Sequence, residues 1–202
     1  MFITFEGIDG SGKSTQAKKL SELLEKKGLT LLTREPGGWE GGALLRELVL
    51  KGKLEHRWSE LFLFLLDRSE HCARVIEPAL AQGKTVLCER YNDSTLAYQA
   101  WGRGLPLDTI DKITQAAHLP LPDITVLFKI EPAIALKRVT RRGIPDSFEK
   151  EGLAFMSKIE EGYEALAARE PERWLVLECG DKTEEELFSE LLSALKARGL
   201  EL

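Results

Sequence analysis

The stretch Gly7-Ile-Asp-Gly-Ser-Gly-Lys-Ser14 constrains this chain more than any other, because its spacing demands a particular backbone. Residues 2–5, Phe-Ile-Thr-Phe, have the aromatic and β-branched character of a short buried strand. Beyond Ser14, Leu20, Leu23 and Leu24 fall on one face of a helix, with Lys18, Lys19 and Lys26 elsewhere. Strand, glycine-rich turn and helix form the context in which G-x-x-x-x-G-K-[ST] becomes a phosphate loop. The glycines let successive amides point inward as an anion nest, and the helix N-terminus adds positive partial charge there. Lys13 would reach the β- and γ-phosphates, and Ser14 would hold Mg²⁺ through its hydroxyl. The stretch therefore predicts a nucleoside triphosphate site built from Gly7, Asp9, Gly10, Ser11, Gly12, Lys13, Ser14 and Thr15.

The rest of the chain alternates strands and helices. Leu29–Thr33, Thr85–Cys88, Ile124–Ile130 and Trp174–Leu177 read as strands two to five. Helices are expected over Glu40–Leu50, with Leu44, Leu45, Leu48 and Val49 on one face, and over Trp58–Ala81, with Pro78 marking a kink. Others are expected near 94–100 and 108–117, from Pro132, up to about Arg169, and over Thr183–Lys196. Thr183 and Glu186 have capping-box spacing. This order predicts an α/β fold: a five-stranded parallel sheet with helices on both faces. A single domain over residues 1–202 is expected, with a mobile lid near 138–150 around Gly143. Ligands of such sheets gather at the C-terminal strand ends, where Asp9–Thr15, Arg34–Gly38 and Glu89–Gln99 all lie.

A net charge of −5 argues against a nucleic-acid coat or a polybasic membrane binder. The longest apolar run, Leu61–Leu66, is too short to cross a bilayer. Met1 leads straight into the first strand and leaves no room for a signal peptide, so the cytoplasm is expected. Cys72, Cys88 and Cys179 lack metal-like spacing and read as reduced core thiols. His56, His71 and His118 are scattered and read as surface or half-buried groups.

A phosphate loop alone does not separate kinases from hydrolases or nucleotide switches. The guanine-binding N-K-x-D of small GTPases is missing, whereas Arg34, Arg46, Arg68 and Arg90 recur near the cleft. Guanidinium forks match phosphate oxygens, so a second phosphate group is expected. Phe64 and Tyr98, taken alone, read as packing residues at helical positions.

Phe5-Glu-Gly-Ile-Asp-Gly-Ser-Gly-Lys-Ser-Thr-Gln16, Thr33-Arg-Glu-Pro-Gly-Gly38 and Glu89-Arg-Tyr-Asn-Asp-Ser-Thr-Leu-Ala-Tyr-Gln99 together resemble the bacterial thymidylate kinases. Phe64-x-x-x-Arg68, Pro78-Ala-Leu80 and Gly102-Arg-Gly104 fit the same order. The resemblance implies γ-phosphoryl transfer from ATP to dTMP with Mg²⁺, on a five-stranded parallel core in a homodimer. It gives Asp9 the deoxyribose 3′-hydroxyl, and gives Arg34 and Arg90 the 5′-phosphate, with Glu35 and Arg46 close by. Phe64 would stack on thymine, Arg68 would donate to its O4, and Thr95 and Gln99 would meet its edge. Tyr98 would crowd C2′ against ribonucleotides. Glu89 would order Mg²⁺ water, standing where the family has Asp. Lid arginines would reach the transferring phosphate, with Arg138 and Arg142 as the preferred pair and Arg141 nearby. Ser147 stands where the family's lid has arginine, and Gly10 where some members carry arginine in the loop. A kinase for UMP, CMP or AMP and a nucleotide-dependent switch are the rival readings.

Overall fold

The computed structural model describes residues 1–26, 28, 30–141 and 146–200. Five parallel strands, β1 (Phe2–Glu6), β2 (Thr30–Arg34), β3 (Thr85–Glu89), β4 (Ile124–Lys129) and β5 (Trp174–Glu178), form one sheet in the order β2-β3-β1-β4-β5. β1 sits at the centre, in register with β3 from Phe2↔Val86 to Phe5↔Glu89. Strand alternation sends Ile3, Phe5 and Leu87 into one apolar cluster and Phe2, Val86 and Cys88 into another, so both faces are covered. All three cysteines are free and buried. Among the described residues, no helix is long and apolar enough to cross a membrane.

The helices follow the sequence pattern with informative departures. α1 (Lys13–Glu25) starts directly from the phosphate loop, and α2 spans Gly42–Leu50. The expected helix over residues 58–81 is α3 (Arg57–His71), a widened π turn over Cys72–Ile76, and α4 (Glu77–Ala81). Pro78 has no N–H and its ring crowds the carbonyl four residues back, so the strain is relieved by widening the preceding turn. α5 (Asn92–Thr95) runs into a second widened turn, Leu96–Gly102, followed by α6 (Leu107–Ala116) and α7 (Pro132–Thr140). α8 (Leu153–Arg169) packs against that second turn, where a Cβ on Gly162 would come within 2.9 Å of the Trp101 ring. α9 (Glu184–Ala197) begins at the expected Thr183–Glu186 capping box.

Two expectations need correction. The leucines of α2 do not form one core-facing stripe: Val49 is buried, but Leu44 is 72% exposed. His71 is neither surface nor half-buried but fully enclosed, while His56 and His118 are exposed. Leu29 lies outside the described residues.

Glu160 in α8 accepts the Ile130 N–H at 3.1 Å, and its second oxygen has no partner among the described residues. Burial pushes its pKa up to about 7 despite that hydrogen bond. An acid raised from 4.5 in the unfolded chain stabilises the fold fully below that pH and loses the contribution as pH rises through about 7. Glu160→Gln should therefore unfold later than wild type above pH 7, by up to about 3 kcal/mol. The gap should close towards the unfolded value, and melting curves at both pH extremes check this.

Candidate active site

The phosphate loop turns through Gly7, Gly10 and Gly12, all at positive φ. Gly10 is required for a second reason: a Cβ there would lie 2.6 Å from the Ala135 carbonyl oxygen of α7. The loop packs here directly against a helix backbone. A Cβ on Gly12, by contrast, would meet no atom of the described residues within 4 Å, and the N-terminus of α1 has no side-chain cap among them. The Ser11 hydroxyl is buried and has no partner among the described residues. These are the features of a cradle for phosphate oxygens.

Asp9 joins this cradle to the next strand end. It accepts from Lys13 Nζ at 3.2 Å and from Arg90 Nη2 at 2.8 Å. Burial works against its charge, yet Arg90 and Lys13 together hold its carboxyl well below the usual range. Lys13 itself is pushed down by burial and by Arg90, with Asp9 and Glu89 opposing. Ser14 donates to Glu89 at 2.6 Å, so two hard oxygen donors meet beside Lys13. That donor set suits a small divalent cation.

A cleft of about 560 Å³, open mouth included, lies beyond Asp9 and Arg90. Asp9, Glu35, Arg46, Phe64, Arg68, Arg90, Thr95, Tyr98 and Gln99 all line it. Arg34 is the exception. Its side chain is exposed and lines the neighbouring groove with Glu89 and Trp39. Burial lowers the Arg46 pKa, and the positive charges of Arg34 and Arg90 lower it further, so the cation-rich end of the cleft favours an anion.

Aromatic rings line the same cleft. Phe64 and Tyr98 pack on Phe148 with centroids 6.3 and 5.6 Å apart. Arg68 is fully buried. It donates to Glu35 at 2.8 Å, to the Tyr91 carbonyl and Thr95 at 2.9 Å, and to Asn92 at 3.2 Å. Gln99 donates through Nε2 to Glu60, leaving its buried Oε1 without a partner among the described residues.

The segment of residues 146–148 lies against this cleft. Ser147 donates to the carbonyls of Val49 and Leu50, and Asp146 and Phe148 line the cleft. Arg103 fastens it, bridging Glu60 and Glu151 while its guanidinium covers the Phe148 and Phe155 rings. Arg138 donates to the carbonyls of Gly10, Cys179 and Gly180, bracing the phosphate loop against the turn after β5. Arg141 is exposed at the end of α7. Arg142 and Gly143 lie outside the described residues.

Several site residues escaped the sequence reading. Glu6 and Tyr163 stand behind Arg90. His71 sits between Thr33 and Glu35, and Asp67 accepts from Gly37 and Trp39, pinning the turn after β2. Glu35, His71 and Cys88 have ligand atoms within 4.8 Å of one another. Glu35 already holds Arg68 and His71, and the second ring nitrogen of His71 is engaged by Thr33, so the cluster serves the fold.

A phosphate loop facing an arginine-bearing, aromatic-walled cleft across one shared aspartate defines a P-loop nucleotide kinase, with a donor and an acceptor side. Within that class the chain belongs to the thymidylate kinase family, whose model matches residues 5–190. It is 47% identical over 191 residues to a thymidylate kinase of Solidesulfovibrio magneticus, covering 89% of this chain and 91% of that protein. It is 42% identical to the thymidylate kinase of Deinococcus radiodurans, with 98% of each chain covered. The crystal structure of thymidylate kinase from Ehrlichia chaffeensis superposes with a TM-score of 0.80 at 34% identity, covering 97% of this chain and 98% of that one.

Proposed function

We infer that the chain transfers the γ-phosphoryl group of ATP to dTMP. A 5′-phosphate oxygen of dTMP attacks the γ-phosphorus, the bond to the bridging oxygen breaks, and dTDP and ADP leave. The observation that carries this reading is the acceptor cleft, which Arg46 and Arg90 line together with the rings of Phe64 and Tyr98. The guanidinium groups suit a monophosphate and the rings suit a flat base.

Lys13 and the loop amides would hold the triphosphate, and Ser14 with Glu89 would hold Mg²⁺ directly or through water. The metal would supply charge neutralisation on the donor phosphates. The nucleophile is an ionised phosphate, so no general base is assigned. Arg34 would reach the monophosphate only by swinging out of its own groove. Arg138, Arg141 and Arg142 remain the arginines nearest the lid in sequence, with Arg138 acting through the phosphate loop it braces. The apolar stripe Trp58, Phe62 and Leu66 of α3 suits a homodimer, and a cytoplasmic setting suits the substrates.

ATP consumption should depend on dTMP in a coupled assay. Turnover that ignores dTMP would identify a nucleotide switch instead. Glu89→Gln should slow turnover by about an order of magnitude or more, whereas Glu89→Asp should be tolerated because the carboxylate is kept. A normal kcat for the Gln variant at saturating Mg²⁺ would reduce Glu89 to a structural partner of Ser14.

A further inference from the structure

Glu6 is fully buried at the end of β1, and none of the roles above uses it. One of its carboxylate oxygens accepts the backbone N–H of Tyr91 at 2.8 Å. The other accepts the Ser94 hydroxyl at 2.5 Å and the Tyr163 hydroxyl at 3.2 Å. Those two hydroxyls are also the groups that receive Arg90 Nη1, each at 3.3 Å. The second terminal nitrogen of Arg90 goes to Asp9.

The backbone is held from the same side. Arg90 has φ +62°, a left-handed conformation that carries a penalty of roughly 1–2 kcal/mol for a residue with a side chain. Its N–H donates to the Phe5 carbonyl at 3.0 Å, and the next N–H, that of Tyr91, goes to Glu6. Glu6 therefore meets Arg90 along both its main chain and its guanidinium.

We propose that Glu6 is the positioning residue of Arg90: its carboxylate, through the Tyr91 amide and the Ser94 and Tyr163 hydroxyls, fixes the direction in which Arg90 meets the monophosphate. This rests on the role assigned to Arg90 under the proposed function.

Donor and acceptor counting explains why the charge matters. A carboxylate only accepts, so it takes the Ser94 proton; the Tyr163 hydroxyl, 2.7 Å from that of Ser94, gives its proton to Ser94 or to Glu6, and each oxygen keeps a lone pair for Arg90. A protonated carboxyl, or an amide in its place, offers a proton to the hydroxyls. A hydroxyl that accepts it turns its own proton towards a guanidinium that has only protons to give. The groups facing Glu6 are Asp93, Arg90 and Tyr91 from the segment after β3, Tyr163 from α8 and Cys88 from β3. Burial and the Asp93 charge push its pKa up to about 7, against Ser94, Arg90 and Tyr91. The carboxylate form, and with it the grip on Arg90, is gained as pH rises through that value.

The test compares kcat/KM for dTMP across pH in wild type, Glu6→Gln, Arg90→Ala and the double variant, at saturating ATP. Titration of dTMP itself is common to all and cancels in ratios. The wild-type to Glu6→Gln ratio should be close to one near pH 6 and reach about tenfold by roughly pH 8, the worth of one charge-assisted hydrogen bond. KM for ATP should not move, and in the Arg90→Ala background the Gln substitution should add little. A ratio that does not change with pH, or an undiminished loss without Arg90, overturns the proposal. If Glu6→Gln fails to fold, Tyr163→Phe gives the same comparison, with at least a threefold loss expected near pH 8, and a wild-type value overturning it. Wild-type kcat/KM in Arg90→Ala alone would instead strike at the reading of Arg90, and the positioning role would fall with it.

Discussion

Arg68→Leu should destabilise the fold by roughly 3–5 kcal/mol, because it removes one partner of a buried ion pair and leaves the other behind. The stranded group is Glu35, 4% exposed, whose remaining charged or polar partner is His71. The Thr95 hydroxyl and the Tyr91 carbonyl lose a donor in the same step. Thermal or urea unfolding of Arg68→Leu beside Glu35→Gln/Arg68→Leu checks the cause. The double variant should recover part of the loss, since it no longer buries an unpaired carboxylate. A single variant that unfolds within about 1 kcal/mol of wild type would mean that the pair contributes little.

Lys13→Ala should lower kcat by roughly 10²–10³-fold, since it removes the cation closest to the donor phosphates. The fold should survive. Asp9 keeps its 2.8 Å contact with Arg90, so no carboxylate is left without a counter-charge. Steady-state kinetics at saturating ATP and dTMP, with a melting curve on the same protein, separate the two effects. A kcat within threefold of wild type, about 0.6 kcal/mol of barrier, would remove Lys13 from the chemistry.

The contrast between these residues shows what was legible in the sequence. The phosphate loop could be read because its glycines, Lys13 and Ser14 answer to a local backbone geometry fixed within eight positions. The strands and the Thr183–Glu186 cap were likewise local, and the sheet has the expected five parallel strands. Roles for Phe64 and Tyr98 came only through resemblance to a family, since helical spacing alone makes them packing residues. Glu6 was in plain view beside the loop. An acidic residue ending a strand of buried residues has to be satisfied, but its partners lie 85, 88 and 157 positions away. No local pattern encodes such distances. The inward-facing histidine had the same difficulty: His71 is explained by Thr33 and Glu35, on a different element. Arg34 lines the neighbouring groove instead, because a strand-end position fixes the backbone while a long side chain still chooses between two grooves.

Arg103 ties Glu60 to Glu151, and Glu60 in turn holds the amide of Gln99. One carboxylate thus connects the segment around Glu151 to a side chain that lines the cleft. Ser147, smaller than the usual arginine, uses its hydroxyl and N–H to dock on the end of α2.

The central claim is that the cleft accepts dTMP, and the most direct measurement is kcat/KM for a panel of nucleoside monophosphates at fixed ATP and Mg²⁺. Phe64, Gln99 and Tyr98, which all line the cleft, should favour dTMP over UMP, CMP and AMP by at least about a hundredfold, the scale set by a site with a buried polar group to satisfy and a ring that crowds the sugar. Equal kcat/KM for UMP and dTMP would contradict the assignment and return the chain to the wider class of nucleoside monophosphate kinases.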